Sequence, residues 1–316
     1  MAGTVDYVDL MDETGLLSAL GAASYDALFT RLGLFVGLRA LVACPSLRWV
    51  VTPTTGLDHI DAAALTAAGV RVVSLRGETV FLRGVRSTAE HTWALLLALV
   101  RKLPAAHRDV LEGGWQREPF LATELQGKCL GLVGIGRIGG MVAAYGTAFR
   151  MRVIGFDRDP EVFTAIETRV DSVGIEELLA TADVTCLHLP LDEGTKGFLS
   201  AKRLAGVKPG ALLVNTARGE LVDETALLDG LESGRIGGAA LDVLAGDGVW
   251  ENRIPANHPL VRFACTHENL ILTPHCGGYG RESIVATRRF VTEKFLKASG
   301  CHSDRGGTLP LPGGKA

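Results

Sequence analysis

The sequence predicts an α/β protein in two parts, a doubly wound and mainly parallel sheet preceded by a smaller α/β unit. Three observations predict it. From residue 129 onward, six short apolar runs alternate with stretches whose apolar residues recur at helical spacing. The first run ends in a glycine-rich turn, Gly134-Ile135-Gly136-Arg137-Ile138-Gly139. The second ends in an acid, Asp157, 18 residues past Gly139.

Taken in order, residues 26–30, 48–51 and 70–73 read as strands, with a helix over 60–68 between the last two. Residues 74–86 read as a basic loop carrying Arg76, Arg83 and Arg86. Residues 88–103 predict a long apolar helix that Pro104 closes and that bridges the two units. The main sheet takes strands at 129–133, 151–156, 184–189, 211–214, 238–243 and 270–272. Ile138, Met141, Val142, Tyr145 and Phe149 mark the helix after the first of these, and residues 223–231 mark a later one. Strands alternating with helices imply a parallel sheet covered on both faces. The tail from Ser299 is rich in Gly and Pro, and disorder is expected there.

Composition narrows the function classes. The chain has 316 residues, 47% hydrophobic and 21% charged, which leaves room for two domains and excludes general disorder. Its 39 glycines show no G-X-Y period, so they signal tight turns and close backbone approaches rather than collagen. A net charge of −3 gives no footprint for nucleic acid or an anionic membrane. The first 20 residues lack a basic segment of the secretory type, and the apolar run 93–100 is too short to span a bilayer. Six cysteines, at 44, 129, 186, 265, 276 and 301, form no CxxC. Neither a disulfide scaffold nor a metal site is therefore expected, and a reduced cytoplasmic protein is.

The glycine motif gains weight from its setting after a strand and before a helix, as a dinucleotide fingerprint requires. Gly134 makes the turn, Gly136 lets the backbone approach a pyrophosphate, and Gly139 packs helix on strand. The helix N-terminus offers its N–H groups to the negative charge. A carboxylate at Asp157 accepts ribose hydroxyls and repels a 2′-phosphate, which favours NAD over NADP. Arg152 and Arg158 lie close in sequence and temper that preference.

Three further segments fall where predicted strands end, where open α/β sheets bind ligands. They are Asn215-Thr216-Ala217-Arg218-Gly219, Leu241-Asp242-Val243, and Thr273-Pro274-His275-Cys276-Gly277-Gly278. With TTGLDHID (54–61), STAEHT (87–92), ELQGKCLGLVGIGRIG (124–139), LHLPL (187–191) and NTARGELVDETAL (215–227), the chain resembles the D-isomer-specific 2-hydroxyacid dehydrogenases. GGAALDV (237–243) and LTPHCGG (272–278) complete seven ordered segments.

The resemblance implies a Rossmann NAD-binding domain over 87–286. It also implies a discontinuous, flavodoxin-like substrate domain over 1–86 and 287–316, shortened at its N-terminus. It implies that Arg218 grips the substrate carboxylate and carbonyl oxygen through two parallel hydrogen bonds. His275 matches the general acid/base, a task suited to imidazole. The third member is usually a Glu 29 residues after the arginine, and counting gives Asp247, one methylene shorter. Asp247 can still pair with imidazolium; the alternatives are Glu251 in its place, or weakened catalysis.

Beside Gly134, Gly136 and Gly139, the resemblance assigns Arg137 and Ile138 to the pyrophosphate and Leu189 and Pro190 to the adenine side. Thr216, Ala217, Asp242, Gly277 and Gly278 join the cofactor set. Asp242 reads almost equally well as a loop-capping acid. Thr55 and Gly56 match the loop whose N–H groups hold the substrate carboxylate. Arg31 falls where phosphoglycerate-type members carry an arginine near the phosphate. With Arg76 and Arg83 it forms the sharper reading of the basic loop, a clamp for a second anionic group; a solvated loop is the plainer one.

The function expected is NAD-dependent interconversion of a D-2-hydroxy acid and a 2-oxo acid by a homodimer. The second group on the substrate would be a phosphate, phosphonate or carboxylate. The alternatives are an NAD(H)-binding regulatory, corepressor-like protein on the same fold, and a formate- or phosphite-type dehydrogenase.

Overall fold

The structure, a computed structural model, describes residues 4–10, 12–250 and 253–300. The tail beyond residue 300 and Glu251 lie outside them. The chain divides into two compact units. One comprises residues up to 77 and from 285 onward, and the other runs from Glu78 to Ile284.

The first unit is built on three parallel strands in the order β1-β2-β3, namely β1 (Ala27–Phe29), β2 (Trp49–Val51) and β3 (Arg71–Val73). Each is shorter than its predicted apolar run. The helix Glu13–Gly21 begins where the Asp12 side chain accepts the Gly15 N–H at 2.7 Å, an N-cap that satisfies one of its orphan donors. Leu16 and Leu20 of that helix pack with Ala40, Val50 and Leu65 into one core. The helix Arg281–Ser299 brings Phe295 edge-on against Phe29 and Trp49, with centroids 5.2 and 5.5 Å apart.

The second unit holds seven parallel strands. They are β4 (Cys129–Val133), β5 (Arg152–Phe156), β6 (Asp171–Ser172), β7 (Val184–Leu187), β8 (Ala211–Asn215), β9 (Ile236–Leu241) and β10 (Leu270–Leu272). Their order is β10-β9-β8-β7-β4-β5-β6. The fold is thus α/β, and the larger unit is of the Rossmann type. Every residue of β4 and β7 is buried, because helices cover both faces, and two apolar clusters form the layers.

Two expectations need correction. The apolar stretch 88–103 is not one helix closed by Pro104. A helix spans Ser87–Val100, Lys102 turns left-handed (φ 49°), and Pro104 sits in the first turn of a second helix, Leu103–Leu111. A proline lacks only an N–H that a first turn leaves unpaired, so it starts a helix as readily as it ends one. The helix Ser87–Val100 lies wholly in the second unit, where Leu96 and Leu99 are buried. Likewise, residues 78–86 belong to the second unit rather than the first, and they include a helical turn, Thr79–Leu82. The Arg137 guanidinium holds them there by donating to the Val85 and Leu82 carbonyls at 2.7 and 3.3 Å.

Candidate active site

The strand order reverses beside β4: β5 and β6 extend one way, and the chain then returns to place β7 on its other flank. Ligands of open α/β sheets bind at the carboxyl ends of the strands flanking such a switch point. Gly134 follows β4 there with φ 97°, and a Cβ on it would lie 2.8 Å from the His188 carbonyl. A Cβ on Gly139 would collide with the Gly134 carbonyl. Both positions therefore require glycine. Gly136, the N-cap of the helix Arg137–Ala148, is exposed, with open space where its Cβ would point. A bare backbone and a helix N-terminus at one point fit a pyrophosphate.

Asp157 follows β5. Its Oδ2 accepts the Ile135 N–H at 2.8 Å and its Oδ1 the Asp159 N–H at 3.0 Å, so the carboxylate is fixed to the glycine turn itself. Arg158 is paired with Asp192 at 2.7 Å and Arg152 with Asp171 at 3.6 Å. Leu189 is buried and Pro190 exposed after β7, and Ile138 packs against the core beneath the turn.

His188 lies under this turn. Its Nε2 is buried and has no partner among the described residues. Burial disfavours the cation and pushes the ring from 6.5 down to about 4. A histidine with a lowered folded pKa contributes fully above about 6.5, and that contribution is lost as pH falls toward about 4. The loss is about 1.4 kcal/mol per pH unit. Urea unfolding at pH 7 and pH 5 is expected to show the wild type losing about 2 kcal/mol more than His188→Gln. Equal losses in the two proteins would contradict the assignment.

The segments 215–219, 241–243 and 273–278 gather at the carboxyl ends of β8, β9 and β10, where Asn215 pairs with Leu241 and Leu241 with Leu272. Asn215 shapes the first turn: its Oδ1 accepts the Ala217 N–H at 3.0 Å and its Nδ2 donates to the Arg218 carbonyl at 2.7 Å. Arg218, half-buried, donates from its guanidinium to the Ala217 carbonyl at 2.6 Å. Gly219 then passes so close to the Leu244–Ala245 backbone that a Cβ would overlap it.

His275 adopts a left-handed conformation (φ 51°), uncommon for any residue with a Cβ. Its backbone N–H is held by the Asp242 and Thr273 carbonyls at 2.8 and 3.0 Å. Its ring Nδ1 lies 2.9 Å from Asp247 Oδ2. Just before Asp247, Gly246 turns left-handed (φ 83°), and the short helical turn Asp247–Val249 starts beyond it. Two glutamates that the sequence reading passed over hold this turn. Glu224 Oε1 accepts the Ala245 N–H at 2.7 Å, and Glu220 Oε1 accepts the Gly246 N–H at 2.9 Å. Burial pushes the Glu224 carboxyl above its usual range.

Asp242 is 2% exposed and organises the strand ends. Its Oδ1 accepts the Thr273 hydroxyl at 2.6 Å and the Cys276 N–H at 2.9 Å, and lies 3.1 Å from His91 Nε2. Its Oδ2 accepts the Gly277 N–H at 2.7 Å. The ligating atoms of His91, Asp242 and Cys276 lie within 4.8 Å of one another, but these hydrogen bonds already engage the carboxylate. Burial, with the Asp242 charge, pushes the Cys276 thiol up. Thr216 shares a hydrogen bond with Thr92 at 2.7 Å, and Ser87 donates to the Gly277 carbonyl at 2.8 Å. In the sequence His91 reads as a structural or cofactor-adjacent histidine, and Thr92 and Ser87 only as members of the STAEHT segment.

Thr55 is exposed and the Gly56 carbonyl accepts the Thr54 hydroxyl at 2.8 Å, both in the first unit. Arg31, also there, donates to the Leu10 and Leu32 carbonyls at 3.0 and 3.2 Å. Arg76 and Arg83 are exposed, one in each unit, and so is Gly278.

A seven-stranded parallel sheet with a glycine turn and an acid at its switch point, and a histidine–aspartate pair at its carboxyl end, defines a dinucleotide-binding α/β protein. Residues 93–277 match the family model for the D-isomer specific 2-hydroxyacid dehydrogenase NAD binding domain. D-3-phosphoglycerate dehydrogenase of Mycobacterium tuberculosis is 38% identical over 279 residues, 88% of this chain and 50% of that one. Glyoxylate reductase of Aeropyrum pernix is 36% identical over 87% of this chain and 80% of its own length. Among solved structures, D-lactate dehydrogenase from Aquifex aeolicus, complexed with NAD and lactic acid, superposes with a TM-score of 0.76. It is 28% identical over 92% of this chain and 87% of that one. The chain belongs to the D-isomer specific 2-hydroxyacid dehydrogenase family, and its second unit carries that family's NAD-binding domain. It spans about half the length of the D-3-phosphoglycerate dehydrogenases it matches.

Proposed function

We propose that the protein is an NAD-dependent dehydrogenase that interconverts a 2-oxo acid and a D-2-hydroxy acid. The His275–Asp247 pair at the carboxyl end of the sheet that carries the cofactor fingerprint is the observation that supports this most strongly. In this reading the second unit binds NAD and the first is the substrate domain.

Gly134, Gly136 and the first turn of the helix Arg137–Ala148 would hold the pyrophosphate, and Asp157 the ribose. Bound NADH supplies a hydride to the carbonyl carbon, and NAD accepts it in the reverse direction. Arg218 binds the substrate carboxylate and carbonyl oxygen and so fixes the carbon's orientation. His275 gives the carbonyl oxygen its proton, or takes the hydroxyl proton in oxidation. Asp247 accepts from Nδ1–H, fixes the tautomer and balances the imidazolium charge. The first unit's Thr55 and Gly56 are proposed to offer backbone N–H groups to a carboxylate.

A substrate with a second anionic group is the finer proposal, supported by the phosphoglycerate dehydrogenase relatives and by exposed Arg76 and Arg83. Arg31 has its guanidinium on two backbone carbonyls, which leaves the other two as the stronger candidates. NADH consumption against 2-oxo acids with phosphate, carboxylate or plain alkyl ends tests both levels, with NADPH run alongside. Turnover confined to an anionic-ended substrate supports the clamp. Turnover with alkyl-ended acids alone removes it, and no turnover with any of them overturns the dehydrogenase reading.

We also propose a homodimer formed through the second unit. The helix Leu103–Leu111 has no buried residue, and Leu111, Trp115 and Leu121 are 73%, 87% and 84% exposed. Large exposed apolar side chains this near in sequence support an interaction surface. Sedimentation is expected to give twice the chain mass for the wild type and a single chain mass for Trp115→Glu/Leu121→Glu. A monomeric wild type would contradict it. The free thiols of Cys44, Cys129, Cys186, Cys265 and Cys276 suit a cytoplasmic setting. Among the described residues no helix is long and apolar enough to cross a membrane.

A further inference from the structure

We propose that Glu220 and Glu224 are positioning residues that hold Asp247 within reach of His275. The inference rests on the dehydrogenase reading for its consequence in catalysis, but not for its geometry. An aspartate at position 247 falls one methylene short of the glutamate usual in the family, so the backbone must bring it closer. The backbone that does so is the turn from Leu244 to Gly246, and two of its three N–H groups are held by these acids. Ala245 donates to Glu224 at 2.7 Å and Gly246 to Glu220 at 2.9 Å. The third, from Leu244, faces Asp247 Oδ2 itself at 3.4 Å. Carboxylate-to-amide bonds of this kind are charge-assisted and stronger than neutral ones.

The place of the two acids in the chain gives the device its point. Glu220 is two residues beyond Arg218, on the short helical turn Gly219–Leu221, and Glu224 opens the helix Glu224–Glu232. The segment that presents the arginine therefore also grips the turn that presents the histidine's partner. Gly219 permits the grip, because any side chain there would overlap the Leu244–Ala245 backbone. Behind the turn, Glu224 Oε2 faces His258 Nε2 at 3.5 Å, and the His258 ring packs against Trp250, with centroids 5.6 Å apart. Arg218 and the His275–Asp247 pair are in this way linked through two carboxylates that accept from the backbone N–H groups of the turn. A displacement of about 1 Å at a reacting group costs about 100-fold in rate, so the grip is large enough to register.

The test uses the full chain labelled with ¹⁵N-histidine. A carboxylate bonded to Nδ1–H slows that proton's exchange, so His275 should give a downfield Nδ1–H signal that Asp247→Ala removes. Glu220→Ala/Glu224→Ala is expected to remove or broaden the same signal, and Glu220→Gln and Glu224→Gln, which keep an acceptor oxygen, to retain it. In steady-state kinetics the double alanine variant is expected to lower kcat about 10- to 100-fold. KM for NADH should be unchanged, and in the Asp247→Ala background the same double change should have no further effect. A double alanine variant that keeps the signal which Asp247→Ala abolishes overturns the inference. If the double variant does not fold, the single alanine variants decide: each must weaken the signal, and signals equal to wild type overturn it. The NMR measurement needs no turnover, so a protein inactive on every 2-oxo acid would refute the dehydrogenase reading while still deciding this one.

Discussion

His275→Asn is expected to lower kcat by about 10²- to 10⁴-fold while NADH still binds. Asparagine is the informative replacement because position 275 is left-handed (φ 51°), a conformation asparagine tolerates better than most side chains. The backbone bonds from His275 to the Asp242 and Thr273 carbonyls can persist, so the loop should stay in place. What is removed is the imidazole. Its Nδ1 is committed to Asp247 at 2.9 Å, which leaves Nε2 to exchange a proton with the substrate oxygen. Steady-state turnover together with NADH fluorescence separates the two effects. A variant with near wild-type kcat would remove His275 from the chemistry, and one that no longer binds NADH would show that its role is structural.

Arg218→Ala is expected to lower kcat/KM by about 10²- to 10⁴-fold, the loss of two charge-assisted hydrogen bonds at about 1.5–3 kcal/mol each. The turn that carries it should survive, because Asn215 holds both the Ala217 N–H and the Arg218 carbonyl through its own side chain. Thermal unfolding is therefore expected to move little. Arg218→Lys should recover only part of the activity, since an ammonium presents no planar fork to a carboxylate. Full activity in the lysine variant would show that charge alone suffices and that the bidentate grip is wrong.

Six strands of the larger sheet were legible as short, mainly apolar runs that need no periodicity, wholly buried at β4 and β7. The edge strand β6 was not, since its two residues, Asp171 and Ser172, carry no apolar signal. Pro104 misled because a proline marks a helix boundary without saying which end. The resemblance to the family points to Arg218, His275 and Asp247, with Glu251 as the alternative partner of His275. Their supports could not be read from the sequence: Glu220 and Glu224 act on backbone N–H groups more than twenty residues away, and His91 meets Asp242 across 151 positions. Such bonds leave no period in a sequence and depend on which strand ends the fold sets side by side.

The most direct measurement is deuterium transfer from NADH deuterated at both C4 positions to a 2-oxo acid, read by mass spectrometry and chiral separation of the product. The account predicts a D-2-hydroxy acid carrying deuterium at C2, formed by the wild type and lost with His275→Asn. NADH bound by the protein but never consumed, or a product without the label at C2, would contradict it.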